Sequence, residues 1–302
     1  MASTDLTMAD YFLYLFNQRD AESKLNFSTL ENLSDSIEEQ PQVHSGIKVY
    51  SITGADESAL KSALYEQSKS HGFDYCLLSQ GRSYGPFKLA VFDMDSTLIP
   101  IEVIDELAVQ AGVGQQVAQI TEAAMRGELD FNQSLEHRVK QLKGLPLEAI
   151  NVVKEQLVFN TGVELFCHFF VHRGGEIAIA SGGFMPFADE LSQRLPFSRI
   201  RANRLIESKG LLTGQVEYPI VNADVKAASL KEWALDAGVT EQQCIAVGDG
   251  ANDLKMLQQS GIGVAFKAKP TLGKSADCVL NVGYLDSLVE LLPLIEKQQG
   301  QG

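Results

Sequence analysis

The stretch KLAVFDMDST, from Lys88 to Thr97, decides the fold that the rest of the sequence has to fit. Its first half is a short apolar run of the kind typical of parallel strands that are buried on both faces. Asp93 and Asp95 follow where that strand would end. Ligands bind at the carboxyl ends of strands in open α/β sheets, and buried carboxylates are costly unless a cation or protons neutralise them. The stretch therefore indicates a site for a charged ligand, although an Asp-rich turn would show the same pattern.

A second stretch, QCIAVGDGAND from Gln243 to Asp253, repeats this arrangement. Its apolar run ends before Asp249, and Asn252 follows in the same loop. If the two strands are neighbours in one sheet, Asp93 and Asp249 meet at the same edge and can share a metal ion. Mg²⁺ prefers hard oxygen ligands with positions left open for water, so the sequence predicts a magnesium site. Because the pattern occurs twice, a plain glycine turn with solvated acids is a poor alternative.

Two weaker signals lie between these stretches. Ser181-Gly182-Gly183 follows the apolar run 176–180, and a hydroxyl with free backbone N–H groups at a helix start can cradle a phosphate. Lys226 is the second signal, and taken alone it reads as a solvated surface lysine. Both gain weight only from their place between the two acidic stretches.

Further apolar runs at 261–266 and 278–280 alternate with helical patterns, which predicts an α/β fold with a parallel sheet. The interval after the first run is too long for a simple crossover. Amphipathic helical patterns fill it at 102–110, 113–126, 131–143 and 147–157. We therefore predict a helical cap inserted at about 100–160, and a small hairpin at about 200–220.

The first part of the chain, residues 1–84, is predicted to be a small α+β domain that precedes the main domain, 85–302. Strand patterns at 47–53 and 73–78 flank a helical pattern at 56–70, for which Asp56 is a suitable N-cap. The segment 80–86 has the composition of a linker. A regulatory role for this domain is a hypothesis that competes with a purely structural one.

The composition of the 302 residues restricts the function further. A formal net charge of −14 argues against a nucleic-acid partner, which needs clustered basic residues. The four cysteines form no metal-binding spacing, so free thiols in a reducing compartment are expected. With neither a recognisable leader nor a long apolar run, we expect a cytoplasmic protein without a membrane partner.

Taken in order, these signals resemble the haloacid dehalogenase superfamily of phosphatases. The shared pattern is D-x-D-x-T, then S-G-G, a lysine, and G-D-x-x-N-D, and it covers about half the chain, from Asp93 to Asp253. Within the superfamily the chain resembles the phosphoserine phosphatases, because Glu102 follows the first motif and FNQSLEHRV (131–139) fits their F-x-x-S-L-x-x-R-V helix. The resemblance implies a Rossmann-like parallel sheet with an inserted helical cap.

The resemblance also implies a mechanism that depends on Mg²⁺. Asp93 is the implied nucleophile and Asp95 the general acid and base, and the reaction passes through an aspartyl-phosphate. The implied magnesium ligands are the Asp93 carboxylate, the Asp95 main-chain carbonyl and the Asp249 carboxylate. The implied phosphate contacts come from Ser181, the Gly182 N–H, Lys226 and Asn252. Asp253 and Thr97 are expected to support these groups from behind, Asp253 by orienting Lys226 or a metal-bound water.

The cap is implied to recognise the rest of the substrate. Glu102 would hold the ammonium group of phosphoserine and Arg138 its carboxylate, while Met125 and Phe131 would close over it. For Glu102 and Arg138 the competing interpretation is ordinary exposed helix charge.

Other functions stay open at this point. The catalytic motifs do not separate a hydrolase from a phosphotransferase that passes the phosphoryl group to another amino alcohol, such as homoserine, nor from a related small-molecule phosphatase. A binding protein without turnover is a third alternative, but it should lack one of the catalytic side chains, and all are present. The N-terminal part weakly resembles small amino-acid-sensing domains, and the sequence does not give the oligomeric state.

Overall fold

The computed structural model describes residues 10–17, 25–41 and 46–299, and within these ranges the chain forms a ten-stranded sheet with helices on its faces. The strands of this sheet are β1 (Tyr11–Phe16), β2 (Ser36–Glu39), β3 (Lys48–Thr53), β4 (Asp74–Ser79), β5 (Leu89–Phe92), β6 (Glu176–Phe184), β7 (Phe197–Asn203), β10 (Cys244–Gly248), β11 (Ile262–Phe266) and β12 (Cys278–Leu280). A separate hairpin consists of β8 (Leu205–Ser208) and β9 (Leu211–Val216).

The strand order is β2-β3-β1-β4-β12-β11-β10-β5-β6-β7. From β12 to β7 every pair is parallel, whereas β1 to β4 pair antiparallel and β4 joins β12 antiparallel, with Cys76 opposite Cys278. The strands before residue 84 therefore extend the same sheet instead of forming one of their own. A parallel sheet built from strands that alternate with helices is the predicted α/β fold, which is confirmed.

The helices of the described residues are α1 (Phe27–Glu31), α2 (Glu57–His71), α3 (Val103–Gln110), α4 (Gly114–Met125), α5 (Phe131–Gln141), α6 (Glu148–Lys154), α7 (Val163–His172), α8 (Met185–Ser192), α9 (Ala223–Asp236), α10 (Leu254–Gln259), α11 (Pro270–Gly273) and α12 (Ser287–Gln299). Helices α2 to α6 begin and end close to the predicted positions. Asp56 caps α2 by accepting the Ala59 N–H at 2.8 Å, as predicted. No helix in this part of the chain is long and apolar enough to span a membrane.

Helices α3 to α6 lie between β5 and α7, in the interval where the cap was predicted. The predicted hairpin is β8–β9, and it is shorter than expected because residues up to Asn203 belong to β7 of the main sheet. Helix α5 starts with a capping box, in which Asp130 and Gln133 each bond the other's backbone N–H. The start of this helix is thus fixed just before Phe131.

The central strand β5 has apolar side chains buried on both faces. Leu89 and Val91 belong to one apolar cluster, and Ala90 and Phe92 to the cluster on the other face, which follows from the two-residue period of a strand. All four are fully buried. Packing from both sides holds this strand rigidly, and with it the residue that follows, Asp93.

Candidate active site

The candidate site lies at the carboxyl ends of three adjacent parallel strands. Phe92 of β5 pairs with Val247 of β10 on one side and with Ile179 of β6 on the other. Since the three strands end at one edge, the loops that start at Asp93 and after Gly248 converge there with the last residues of β6, from Ser181 onward. The Asp93 N–H also donates to the Val247 carbonyl at 2.9 Å, which ties the first loop to the second strand.

Three carboxylates meet at this edge around one lysine. Oxygens of Asp93, Asp249 and Asp253 lie within 4.8 Å of one another. Lys226, on α9, is fully buried and its Nζ lies 2.8 Å from Asp93 Oδ1 and 2.6 Å from Asp253 Oδ1. The predicted convergence of the two acidic stretches is therefore observed. The lysine is therefore not a solvated surface residue, and its two carboxylate partners offset the cost of burying its charge.

Asp253 differs from the other two acids in having both oxygens occupied. Its Oδ1 accepts from Lys226, and its Oδ2 accepts the backbone N–H groups of Gly250 at 3.0 Å and Asp249 at 3.2 Å. These bonds hold the loop after β10 and the lysine in one arrangement. Asp253 is thus built into the site as support, whereas the carboxylate of Asp249 accepts no hydrogen bond from the described residues.

The pKa values show that negative charge is in excess at this edge. Burial, followed by the charges of Asp93 and Asp253, raises the pKa of Asp249 to about 7. Burial and then Asp93 raise the pKa of Asp253 to about 6, against the lowering effect of Lys226. Burial alone would lower the pKa of Lys226, but the charges of Asp253 and Asp93 outweigh it, so the net shift is upward.

This donor set fits a hard divalent cation. The ligands that such an ion takes are carboxylate and carbonyl oxygens, and Asp93 and Asp249 place two carboxylates close together with more negative charge than Lys226 neutralises. Burial is the largest cause of the raised pKa values of Asp249 and Asp253, the charge of Asp93 is the next, and a cation would oppose both effects.

Asp95 lies beside these groups in a buried position. Its Oδ1 has no hydrogen-bond partner among the described residues, and the same is true of Thr97 Oγ1. Burial, then Glu102 and Asp93, raise the pKa of Asp95 well above its ordinary value. A carboxyl group with a raised pKa keeps its proton to a higher pH than an exposed aspartic acid does, which suits a proton donor.

The Ser181-Gly182-Gly183 segment approaches these acids closely. It lies in the last residues of β6, and α8 begins only at Met185, so the expectation that it sits at a helix start is wrong. A Cβ on Gly182 would lie 2.7 Å from Phe131 Cζ, and one on Gly183 would lie 2.7 Å from Asp95 Oδ2. A side chain at position 182 would displace Phe131 of the cap, and one at position 183 would displace the Asp95 carboxyl group.

The cap side of the site carries charges of both signs. Ser96, with φ 58°, donates from Oγ to Glu102 Oε1 at 2.8 Å, which links the first motif to the start of α3. Burial raises the pKa of Glu102. Burial lowers the pKa of Arg138, and the charges of Glu102, Asp105 and Asp95 oppose that change. Both predicted cap residues are half-buried and face the motif acids, which is not the exposed helix charge of the competing interpretation.

The remaining predicted residues differ in their placement. Phe131 lies against Gly182, as noted, while Met125 ends α4 with 73% of its surface exposed. Asn252 is half-buried in a short 3₁₀ helix, Ala251–Asp253. The closing of Met125 over a substrate and the phosphate contact of Asn252 both stay predictions.

Sequence reasoning missed two charged residues near the site. Asp105 lies about one helical turn after Glu102, and its charge raises the pKa of Arg138. The i, i+3 spacing of these two acids could have pointed to it. Lys269 donates its backbone N–H to the Asp249 carbonyl at 2.9 Å, and its charge lowers the pKa of Asp249 and Glu102. Nothing in the spacing of Lys269 pointed to this position.

Comparison with known proteins gives three kinds of match. The family model for haloacid dehalogenase-like hydrolases matches residues 90–258. A protein of Schizosaccharomyces pombe described as a probable phosphoserine phosphatase is 42% identical over 250 residues, which cover 82% of this chain and 84% of the relative. The crystal structure of a probable phosphoserine phosphatase from Vibrio cholerae aligns with a TM-score of 0.74 at 33% identity, over 98% of this chain and 90% of that one. A structure of a phospho-aspartyl intermediate analogue of phosphoserine phosphatase aligns with a TM-score of 0.65 at 38% identity, over 68% of this chain and 99% of that one.

Proposed function

Because the chain belongs to the haloacid dehalogenase-like hydrolase family, we propose that it hydrolyses O-phospho-L-serine to L-serine and phosphate. The observation that carries this proposal is the cluster at the strand ends, where Asp93 contacts Lys226 and lies beside Asp249. The relatives described as phosphoserine phosphatases support the choice of substrate.

Asp93 is the nucleophile in this proposal. A carboxylate oxygen of Asp93 attacks phosphorus, the bond between phosphorus and the seryl oxygen breaks, and Asp95 gives its proton to that oxygen. The product is serine and an aspartyl-phosphate. A water molecule then attacks the phosphorus, Asp95 takes back a proton, and phosphate leaves as the Asp93 carboxylate is restored. The raised pKa of Asp95 supports its role as the first proton donor.

The transferring phosphoryl group carries negative charge that must be balanced. Lys226, the Ser181 hydroxyl and the Gly182 N–H are the proposed contacts to its oxygens, and Asn252 supports the same side. Magnesium would be held by the carboxylates of Asp93 and Asp249 and the main-chain carbonyl of Asp95. When bound, it supplies positive charge that offsets repulsion between the nucleophile and the phosphate. Asp253 and Thr97 support the site from behind, Asp253 by fixing Lys226.

The serine part of the substrate is proposed to bind the cap. Glu102 would pair with the ammonium group and Arg138 with the carboxylate. The proximity of these two opposite charges supports binding of a zwitterion. Phe131 and Met125 would cover the bound substrate and exclude water during the first step.

The setting of the reaction is also part of the proposal. Release of serine from phosphoserine places the protein at the end of serine biosynthesis, and a cytoplasmic location fits four cysteines that are buried and free of disulfides. We propose two domains, 1–84 and 85–302, with the cap inserted at about 100–160 in the second. We propose a structural role for the first domain, which the pairing of β4 with β12 supports, and regulation is the alternative.

A phosphate-release assay tests the proposal directly. The full chain is incubated with a panel of phosphorylated amino acids and sugars, with Mg²⁺ or with EDTA. We expect phosphoserine to be the best substrate and EDTA to abolish turnover. Release from a sugar phosphate at a higher kcat/KM would reject the substrate, and turnover that resists EDTA would reject the metal. Adding homoserine and measuring phosphohomoserine separates a phosphotransferase from a hydrolase.

A further inference from the structure

Asn203 connects two loops of the site, although nothing in the motifs singles it out. It is the last residue of β7 and is 2% exposed. Its Nδ2 donates to the Gly182 carbonyl at 2.8 Å, and its Oδ1 accepts the Val221 N–H at 2.8 Å. Since a carbonyl can only accept and an N–H can only donate, the two partners fix which way the amide points.

The bond to Gly182 controls the orientation of the phosphate-binding segment. The Gly182 carbonyl and the Gly183 N–H belong to one planar peptide unit. Asn203 holds the carbonyl end, and the N–H end donates to Ser181 Oγ at 2.9 Å. Because Ser181 Oγ accepts this bond, its own hydroxyl hydrogen is left to donate elsewhere. Two consecutive glycines would otherwise allow this peptide unit to rotate freely.

The bond to Val221 reaches the segment that starts α9. Asn222, next in the chain, caps this helix by accepting the N–H groups of Asp224 at 3.1 Å and Val225 at 3.2 Å. Lys226, one turn further on, contacts Asp93 and Asp253. One buried amide therefore sets the relative position of the two elements that are proposed to hold the phosphoryl group.

We propose that Asn203 is a positioning residue that, by holding the Gly182 carbonyl, aligns the Ser181 hydroxyl and the Gly182 N–H with Lys226 for binding of the phosphoryl group. This inference rests on the proposed function of Ser181, Gly182 and Lys226. It predicts a selective defect: loss of the clamp weakens contacts to phosphate, whereas the serine contacts proposed for Glu102 and Arg138 lie on the cap and are unaffected.

The test uses Asn203→Asp and Asn203→Ala in the full chain with Mg²⁺. Aspartate keeps an acceptor for the Val221 N–H but places a carboxylate against the Gly182 carbonyl, whereas alanine removes both bonds. We measure kcat/KM for phosphoserine and the inhibition constants of inorganic phosphate and of L-serine. In both variants we expect kcat/KM to fall about 100-fold and the phosphate constant to rise about tenfold, with the serine constant changed less than about twofold. The matched control is Asn281→Ala, which removes a hydrogen bond from a side-chain amide to Ser68 Oγ (2.7 Å) outside the site.

The outcomes separate this inference from the proposed function. If the unaltered chain releases phosphate from phosphoserine but both variants match it, or lose phosphate and serine binding equally, the inference is rejected and the function stands. Variants that do not fold would show a purely structural role and would also reject it. A wild-type chain that neither hydrolyses phosphoserine nor binds phosphate rejects the proposed function instead.

Discussion

Asp74 and Asp95 are both buried carboxylic acids, but they lie in different halves of the sheet and have opposite surroundings. At the start of β4, Asp74 Oδ1 accepts the backbone N–H groups of Asn281 and Val282 at 2.6 and 2.8 Å, and Oδ2 accepts that of Gly283 at 2.7 Å. Asp95 Oδ1 has no partner in the part of the chain that the structure describes. Backbone N–H groups of the chain thus satisfy the Asp74 carboxylate, whereas Asp95 keeps an oxygen that is free to exchange a proton.

The comparison distinguishes buried charge that supports the fold from buried charge that serves chemistry. Burial raises the pKa of Asp74, but hydrogen bonds from Val282, Asn17 and others oppose this change. For Asp95 the two leading causes after burial, the charges of Glu102 and Asp93, both raise the pKa further. Asp74 is thus held mainly by hydrogen-bond donors, whereas the largest effects on Asp95 after burial come from other acids, as expected for its proposed role in proton transfer.

The largest expected effect is that of Asp93→Asn. We expect kcat for phosphoserine to fall about 10⁴-fold, because an amide is a far weaker nucleophile than a carboxylate. Stability should be kept, since an asparagine oxygen still accepts from Lys226, which also retains Asp253. Phosphate release and thermal unfolding measure the two effects. Turnover within tenfold of the unaltered chain would contradict the nucleophile assignment.

The next largest effect is that of Arg138→Ala, which should depend on the substrate. Arg138→Ala should lower kcat/KM for phosphoserine about 100-fold through loss of a charged contact. It should lower kcat/KM for p-nitrophenyl phosphate, which has no carboxylate, less than about threefold. Lys140→Ala, an exposed residue on the same helix, is the control and should change neither. Equal losses on both substrates would argue against a carboxylate clamp.

Much of the candidate site and its cap could be predicted from the sequence, because the patterns that mark them lie within short stretches of chain. Buried strands such as β5 and β10 are continuous apolar runs, and the acids that follow them must share an edge if the strands are neighbours. The cap helices have a clear helical period and distinct starts. For these reasons the strand ends and the cap were placed within a few residues.

The parts that escaped prediction depend on contacts between distant segments. Strand β7 has no apolar run, because it lies at the sheet edge and pairs Arg199 with Glu176 and Arg201 with Glu232. Asn203 could not be recognised from the sequence, because its partners Gly182 and Val221 are distant in the chain and meet it only in the folded structure. The antiparallel pairing of β4 with β12 likewise joins segments that are some two hundred residues apart.

A smaller effect is expected from Asp74→Asn, and it falls on stability alone. An asparagine turns an NH₂ group toward backbone N–H donors, so at least one of them loses its acceptor. We expect the free energy of unfolding to fall by about 2 kcal/mol. Urea unfolding measures this, and kcat/KM per folded molecule should match the unaltered chain. A loss of turnover without a loss of stability would break the contrast with Asp95.

The smallest effect concerns the two buried lysines. Lys226 lies in the candidate site, and Lys61 lies on α2 and pairs with Asp277, just before β12, near the junction of β4 and β12. Lys61 Nζ lies 2.8 Å from both Asp277 Oδ1 and Glu57 Oε1. Burial alone would lower its pKa, but these partners raise it above the ordinary value of 10.5. A raised lysine pKa stabilises the fold fully below pH 10.5, and that contribution is lost as pH rises through the folded-state pKa.

Lys61→Met should therefore lower the free energy of unfolding by about 1 kcal/mol at pH 8, since the pair is only partly screened from solvent. At pH 11 the difference between the two proteins should shrink, because the unaltered lysine has then begun to lose its charge. Unfolding curves at both pH values measure it, and kcat at pH 8 should be unchanged. A difference that stays constant with pH would mean that Lys61 stabilises the fold through packing of its aliphatic chain. Its ion pairs would then contribute nothing to stability, unlike those proposed for Lys226.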